Sequence, residues 1–205
     1  MENIFSRIIK VSINLLVFLI PLFFLPFSFE AFEFNKQYLL FFLVLIAFFA
    51  WLAKMFLVDQ EVRLRRTPLD IFVIGFLLMA VLSVIFSVDK GSSIFGFYGR
   101  FSDGLIGLLS LGVLYFLITN NVKEIGVILK IFLWSVFFVI LTSFISIFGV
   151  LGKIGAALHL PQVMSQNTFN PVAGSMEGLA IFLAIVMVFL TGRILTKTEK
   201  AKNFI

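Results

Sequence analysis

The chain has 205 residues, of which 61% are hydrophobic and only 13% charged, with 29 phenylalanines and no cysteine. Its mean hydropathy of +1.13 is far from that of a soluble domain, where about half of the residues are apolar and about a quarter charged. Disulfides, thiolate metal sites and a cysteine nucleophile are excluded. The net charge of +5 sits at helix ends rather than on one soluble face, which excludes nucleic acid as the partner and leaves membrane lipids.

A helix needs roughly 20 apolar residues to cross about 30 Å of hydrocarbon. Charge-free runs of that order predict an all-α integral membrane bundle of about six transmembrane helices. They form a single multi-pass domain with spans over 11–29, 37–58, 70–88, 104–122, 129–151 and 172–192. The first run follows Arg7 and Lys10, as the apolar part of a signal peptide would. It is too long for that and no A-x-A-like cleavage site follows, so it is read as retained. Pro21 and Pro26 predict a kink or early unwinding toward its far end. The second run lies between Lys36 and Lys54 and extends to Val58. The third lies between Asp70 and Asp89, the fourth between Asp103 and Lys123, and the fifth between Lys130 and Lys153. The sixth is charge-free only from Gly178 to Gly192 and spans only if its helix starts near Pro171, a position where the missing N–H costs nothing. Gly75, Ser83, Ser87, Gly107, Gly112, Thr142, Ser146 and Gly149 read as helix–helix contacts.

Orientation follows from the basic residues. With the N-terminus inside, only Lys36, Lys90, Arg100 and Lys153 of the 16 lysines and arginines fall outside, so the expected topology is N-in, C-in. The outer segments are then 30–36, 89–103 and 151–170, the last with a short surface helix around 154–160.

One histidine and no cysteine leave no zinc cluster. No P-loop string is present, and no cofactor is implied. An intramembrane serine protease would need a serine–histidine pair; Ser175 follows Gly174, but His159 falls in a loop. Three residues remain as candidates for substrate binding. Arg100, in Phe97-Tyr98-Gly99-Arg100, has flanking glycines that let the chain turn. Its guanidinium can fork onto the oxygens of a lipid-linked pyrophosphate, or Tyr98 and Arg100 can serve as an interfacial anchor. Glu177 lies several residues into a helix that starts at Pro171, where an ionisable group marks function. If the helix starts at Ser175, it is a first-turn acid at the positive dipole end. His159, in Leu158-His159-Leu160-Pro161, is either a base or a packing residue.

Three stretches carry a resemblance: LPFSFEAFEFNKQYLLFFL at 25–43, RRTPLDIFVIGFLLMAVLSVIFSVDKGSSIFGFYGRFSDGL at 65–105, and FNPVAGSMEGLAIFLAI at 169–185. The most specific piece combines Thr-Pro-Leu-Asp where a helix begins, Phe-Ser-Val-Asp where it ends, and Tyr-Gly-Arg in the next loop. With these, the chain resembles the N-terminal half of the O-antigen ligase and O-antigen polymerase-like membrane proteins. The resemblance implies a helical bundle of the bacterial plasma (inner) membrane that works on undecaprenyl-diphosphate-linked glycans at the outer leaflet. It implies transfer of the glycan to an acceptor without a nucleotide sugar or a metal. Members carry more helices and place their key arginine and histidine residues in later outer loops, and they tend to have an asparagine near the position of Glu177. The expected partner is therefore a C-terminal half or second subunit that supplies those loops. A non-catalytic scaffold or lipid-binding module and a small transporter are the alternatives; the transporter is weakened by the lack of a paired repeat.

The topology is testable with single cysteines in this cysteine-free chain. Arg65→Cys should resist an impermeant thiol reagent in intact cells and Ser92→Cys should react; the opposite pattern would overturn the orientation.

Overall fold

The computed structural model describes residues 2–28, 30–61, 65–98, 100–122, 124–151, 153, 164 and 166–202. Among these, all extended elements are helical: α1 (Glu2–Leu19), α2 (Glu33–Ala53), α3 (Asp70–Ile85), α4 (Lys90–Phe95), α5 (Leu105–Asn121), α6 (Ile125–Ile147) and α7 (Met176–Lys202). α2 continues as a π-helix over Lys54–Asp59 and ends at Gln60, whose φ of 49° is left-handed. Among the described residues three helices are long and apolar enough to cross a membrane: Glu33–Asp59, Ile125–Ile147 and Met176–Leu195. Asp70–Ile85 and Leu105–Asn121 are apolar but shorter. The chain divides into two compact units, Met1–Phe138 and Val139–Ile205.

The first expected span, 11–29, is shifted. α1 begins at Glu2 and stops at Leu19, because Pro21 has no N–H to give the carbonyl of Val17. The chain turns instead, with the N–H of Leu22 and of Phe23 both donating to the carbonyl of Leu19 at 2.9 and 2.7 Å. The carbonyl of Phe18, freed at this helix end, accepts from Ser135 Oγ at 2.7 Å. That bond ties α1 to α6, beside an edge-on contact of Phe18 with Phe138.

The core of the first unit lies between α1, α2 and α5. Ile9, Ile13 and Leu16 line one face of α1 at helical spacing and meet Leu40, Leu43, Val44, Ala47 and Ala50 of α2, with Leu117 of α5. Ala47 is 1% exposed; its small side chain lets α1 and α2 approach closely, which in an apolar solvent is what holds helices together. α3 joins from outside and buries none of its residues. It meets α5 where Leu77 lies over Gly112, so closely that a Cβ there would sit 2.5 Å from Leu77 Cδ1.

Polar side chains close the two ends of this unit. At one end the buried Asn35 donates from Nδ2 to Ser28 Oγ at 2.6 Å and to the carbonyls of Glu30 and Ala31 at 2.8 and 3.1 Å. Glu30 in turn accepts from the N–H groups of Phe32 and Phe34. At the other end Asp70 accepts from Thr67 N–H at 2.7 Å, Thr67 Oγ1 at 2.6 Å and the Tyr115 hydroxyl at 2.8 Å. In the Thr-Pro-Leu-Asp string both Thr67 donors thus run to Asp70, the first residue of α3, and the Tyr115 hydroxyl pins that residue to α5. Arg65 N–H donates to Asn120 Oδ1 at 2.7 Å at the same end.

In the second unit the expected helix start near Pro171 is displaced to Met176. Pro171 is buried in the preceding turn. Asn170, fully buried, holds that turn by accepting from Ala173 N–H at 3.1 Å and donating to the Ser175 carbonyl at 2.8 Å. Ser175 Oγ then caps α7 by accepting from Gly178 N–H at 3.2 Å. Ser146 donates to the Gln166 carbonyl at 2.9 Å. Gly149 adopts a left-handed turn with φ 67° instead of a helix–helix contact.

The glycines read as contact residues divide into two kinds. A Cβ on Gly107 would lie 2.5 Å from the backbone oxygen of Ser102, whereas one on Gly75 would meet nothing within 4 Å. Gly107→Ala should therefore destabilise the protein by about 1–3 kcal/mol through overpacking. Gly75→Ala should be neutral or stabilising by up to about 1 kcal/mol through helix propensity. Denaturation in detergent micelles distinguishes them, and equal effects would contradict the close approach at Gly107.

Candidate functional site

The site is the loop between α4 and α5. α4 is started by Asp89, whose carboxylate accepts from Ser92 N–H at 3.2 Å and Ser92 Oγ at 2.5 Å. Ser87 and Ser93 share a hydrogen bond at 2.6 Å behind it, so the Phe-Ser-Val-Asp string serves as a helix stop followed by a cap. Gly96 ends α4 with φ +87°, a conformation that glycine adopts without strain. The chain then folds back, Phe97 pairing with Arg100, whose N–H donates to the Phe97 carbonyl at 2.9 Å. A 3-10 turn over Phe101–Asp103 leads into α5. The two limbs press together at Gly96 and Gly104: a Cβ on Gly104 would lie 2.5 Å from the Gly96 nitrogen.

This loop is fastened to the start of α2. Glu33 Oε1 accepts from Ser102 Oγ at 2.6 Å and from Ser102 N–H at 3.2 Å. Phe101 lies edge-on to Phe34 with centroids 5.0 Å apart, and Tyr98 edge-on to Phe101 at 6.4 Å. Arg100 stands exposed on the turn so formed, one residue before Phe101. Among the described residues its guanidinium meets no carboxylate.

Two hollows flank the loop. Toward α2 lies a cavity of about 450 Å³ lined by Phe34, Gln37, Tyr38, Phe41, Phe95, Phe101 and Ile106. Its one amide, Gln37 Nε2, is buried and has no hydrogen-bond partner among the described residues, a state that costs about 1–3 kcal/mol while it lasts. Toward α3 lies a smaller hollow of about 220 Å³, whose lining includes Ser83, Ser92, Ser93, Gly96, Phe97 and Asp103.

The three residues singled out in the sequence fare differently. Arg100 lies exposed on the turn in which its N–H donates to the Phe97 carbonyl. Glu177 is the second residue of α7 and exposed. The reading that sinks it within a helix starting at Pro171 is corrected, since the Asn170–Pro171 turn delays the helix. Its carboxylate is a first-turn acid, at the end of the helix dipole that favours it. His159 and the surface helix expected around 154–160 lie outside the described residues. Arg100 belongs to the first unit and Glu177 to the second. Among the described residues no group of three or more His, Asp or Glu could hold a metal ion.

Glu33, Gln37 and Ser102 were missed in the sequence, although a signal was present. Glu33, Gln37 and Phe41 repeat every four residues and share one face at the start of an otherwise apolar helix. A polar pair on that face needs a partner from another element. Comparison with protein-family models gives no match, and comparison with curated proteins and with solved structures gives none either.

The hydrogen bonds from Ser92, first its hydroxyl and then its N–H, hold the Asp89 carboxyl below its ordinary value. A carboxylate lowered on folding contributes fully above the ordinary range of about 4, and that contribution is lost as pH falls through the lowered value. Hydrogen-exchange protection of the Ser92 amide, corrected for intrinsic rates, should stay level from pH 7 to about 4 and fall below that. Asp89→Asn should flatten this dependence. Protection already falling between pH 7 and about 5 would contradict the cap.

Proposed function

We propose that this chain is part of an O-antigen ligase-like glycan transferase of the bacterial plasma membrane. In this reading six spans run N-in, C-in, and the α4–α5 loop lies at the outer face, where undecaprenyl-diphosphate-linked oligosaccharide is handled. The reading rests chiefly on one observation: Arg100 stands exposed, among the described residues its guanidinium meets no carboxylate, and its partner in the turn, Phe97, lines a hollow together with Ser83, Ser92, Ser93 and Asp103.

Each part of such a substrate has a matching surface. The diphosphate suits the guanidinium, which offers two parallel N–H donors to one phosphate. Sugar hydroxyls suit the hollow containing Ser92, Ser93 and Asp103, where a carboxylate and hydroxyl oxygens can accept from them. The polyprenyl chain suits α3, which forms one wall of that hollow through Ala80, Ser83 and Val84. α3 also leaves Phe72, Phe76, Met79 and Leu82 exposed along its length. Among the described residues the loop carries no histidine, so in this reading it positions a substrate and chemistry belongs to elements beyond it. His159 and Glu177 remain the substrate-binding candidates of the second unit, and a C-terminal half or second subunit is the proposed partner. A non-catalytic lipid-binding module is favoured by the same lack of a histidine beside Arg100 among the described residues.

Binding of undecaprenyl diphosphate to wild type, Arg100→Lys and Arg100→Ala in detergent tests the proposal. A forked contact worth about 1.5–3 kcal/mol makes Arg100→Ala about ten- to a hundredfold weaker, with Arg100→Lys weakened as well because it loses the fork. Wild-type affinity in Arg100→Lys with a loss only in Arg100→Ala would reduce the contact to charge. No loss in either would end the proposal.

A further inference from the structure

The aromatic end of α4 and the turn after it stand in the open: Phe95 is 64% exposed, Phe97 60% and Tyr98 66%. On a loop projecting from the bilayer such rings would lie in water, but their contacts place them lower. Glu33 opens the stretch of α2 that is long and apolar enough to cross a membrane, and it holds Ser102. Phe101 meets Phe34, the next residue of that stretch, and Tyr98 meets Phe101. Phe95 and Phe101 share a hollow with Tyr38 and Phe41, and Phe41 lies about 12 Å past Glu33 along the helix. We propose that the α4–α5 loop is an in-plane membrane element, with Phe95, Phe97 and Tyr98 inserted among the glycerol esters and upper acyl chains of the leaflet in which α2 begins.

Three features beyond this level select lipid. Aromatic rings are the side chains that favour the boundary between headgroups and acyl chains. α4 is also polarised along its length: Asp89 and Lys90 are exposed at one end and Phe95 at the other. A short helix that is charged at one end and apolar at the other suits a tilt into the interface. The exposed rings continue onto α2, where Tyr38, a wall of the same hollow as Phe95, is 60% exposed. The backbone tolerates the depth, because Gly96 N–H donates to the Ser92 carbonyl and Arg100 N–H to that of Phe97, so these donors are met from within the loop. Insertion sets the height of Arg100. Paired with Phe97 across the turn, it reaches the lipid phosphates with its long side chain, as an interfacial arginine does. The inference rests on α2 crossing the membrane; it holds whichever side the loop faces and whatever Arg100 binds.

The test uses the full chain in phosphatidylcholine nanodiscs, at one chain per disc. Spin labels on Phe95→Cys and Phe97→Cys, in this cysteine-free chain, are located by their collision rates with oxygen and with a water-soluble nickel chelate. Both should lie about 5–10 Å below the phosphates. Lys90→Cys gives the water reference, and Phe49→Cys, exposed on α2, the hydrocarbon reference. Labels at 95 and 97 as open to the chelate as the label at 90 would put the loop in water and overturn the proposal. Labels reached by neither reagent would mean that protein covers the rings, and would overturn it as well. The unsubstituted chain gives a second reading. Phosphatidylcholine with a photoactivatable diazirine near the top of one acyl chain should label residues 95–98 as strongly as 38–42, and labelling of 38–42 alone would overturn the insertion.

Discussion

Glu33 makes the contact on which the Arg100 end of the first unit depends. Its carboxylate begins α2, where the helix dipole favours negative charge, and it holds Ser102 from 69 positions along the chain through both hydroxyl and N–H. In that position Ser102 fixes the 3-10 turn, the turn fixes the start of α5, and Phe101 is set edge-on against Phe34. The cavity around Gln37, the hollow beside Ser92 and the exposed position of Arg100 all follow from that closure. The glycines make it feasible: without the close approach of Gly104 to Gly96, and of Gly107 to the Ser102 carbonyl, the loop would stand away from α2.

The distribution of polar groups in this unit follows from the solvent it is built for. Where water is absent, each backbone donor and acceptor must be met from within the protein. The described polar contacts accordingly gather at the helix ends. Asn35 and Glu30 close the connection that Pro21 interrupts, Ser135 takes up the carbonyl of Phe18, and Thr67, Asp70 and Tyr115 join α3 to α5. Between these ends the contact is apolar, with Ala47 and Ala50 allowing α1 against α2. Gln37 is the exception: its Nε2 is buried against Gly107 and has no partner among the described residues.

Much of this organisation was legible in the sequence. Apolar runs marked the helices because length and charge exclusion are strong signals in a membrane chain, and Pro21 announced the end of α1. The Thr67–Asp70 spacing carried local chemistry that the structure renders as a pair of hydrogen bonds onto Asp70. What the sequence left open has two causes, a local turn that competes with a helix start and a contact between distant segments. Whether Pro171 begins a helix depends on Asn170, whose buried side chain prefers to close a turn. Whether Glu177 lies deep depends on that same turn. The pairing of Glu33 with Ser102 leaves no mark in either segment alone, and only the fourfold repeat of Glu33, Gln37 and Phe41 hinted that one face of α2 expected a polar neighbour.

The docking of the loop onto α2 can be measured directly in membranes. With no native cysteine, Glu33→Cys and Ser102→Cys can be introduced together and treated with a short bis-methanethiosulfonate linker. The account predicts efficient intramolecular cross-linking of this pair. It predicts none for Glu33→Cys with Asp70→Cys, since Asp70 meets α5 at Tyr115, ten residues along the helix from its start at Leu105, about 15 Å away. Absence of the Glu33–Ser102 cross-link, or equal yield from both pairs, would contradict it.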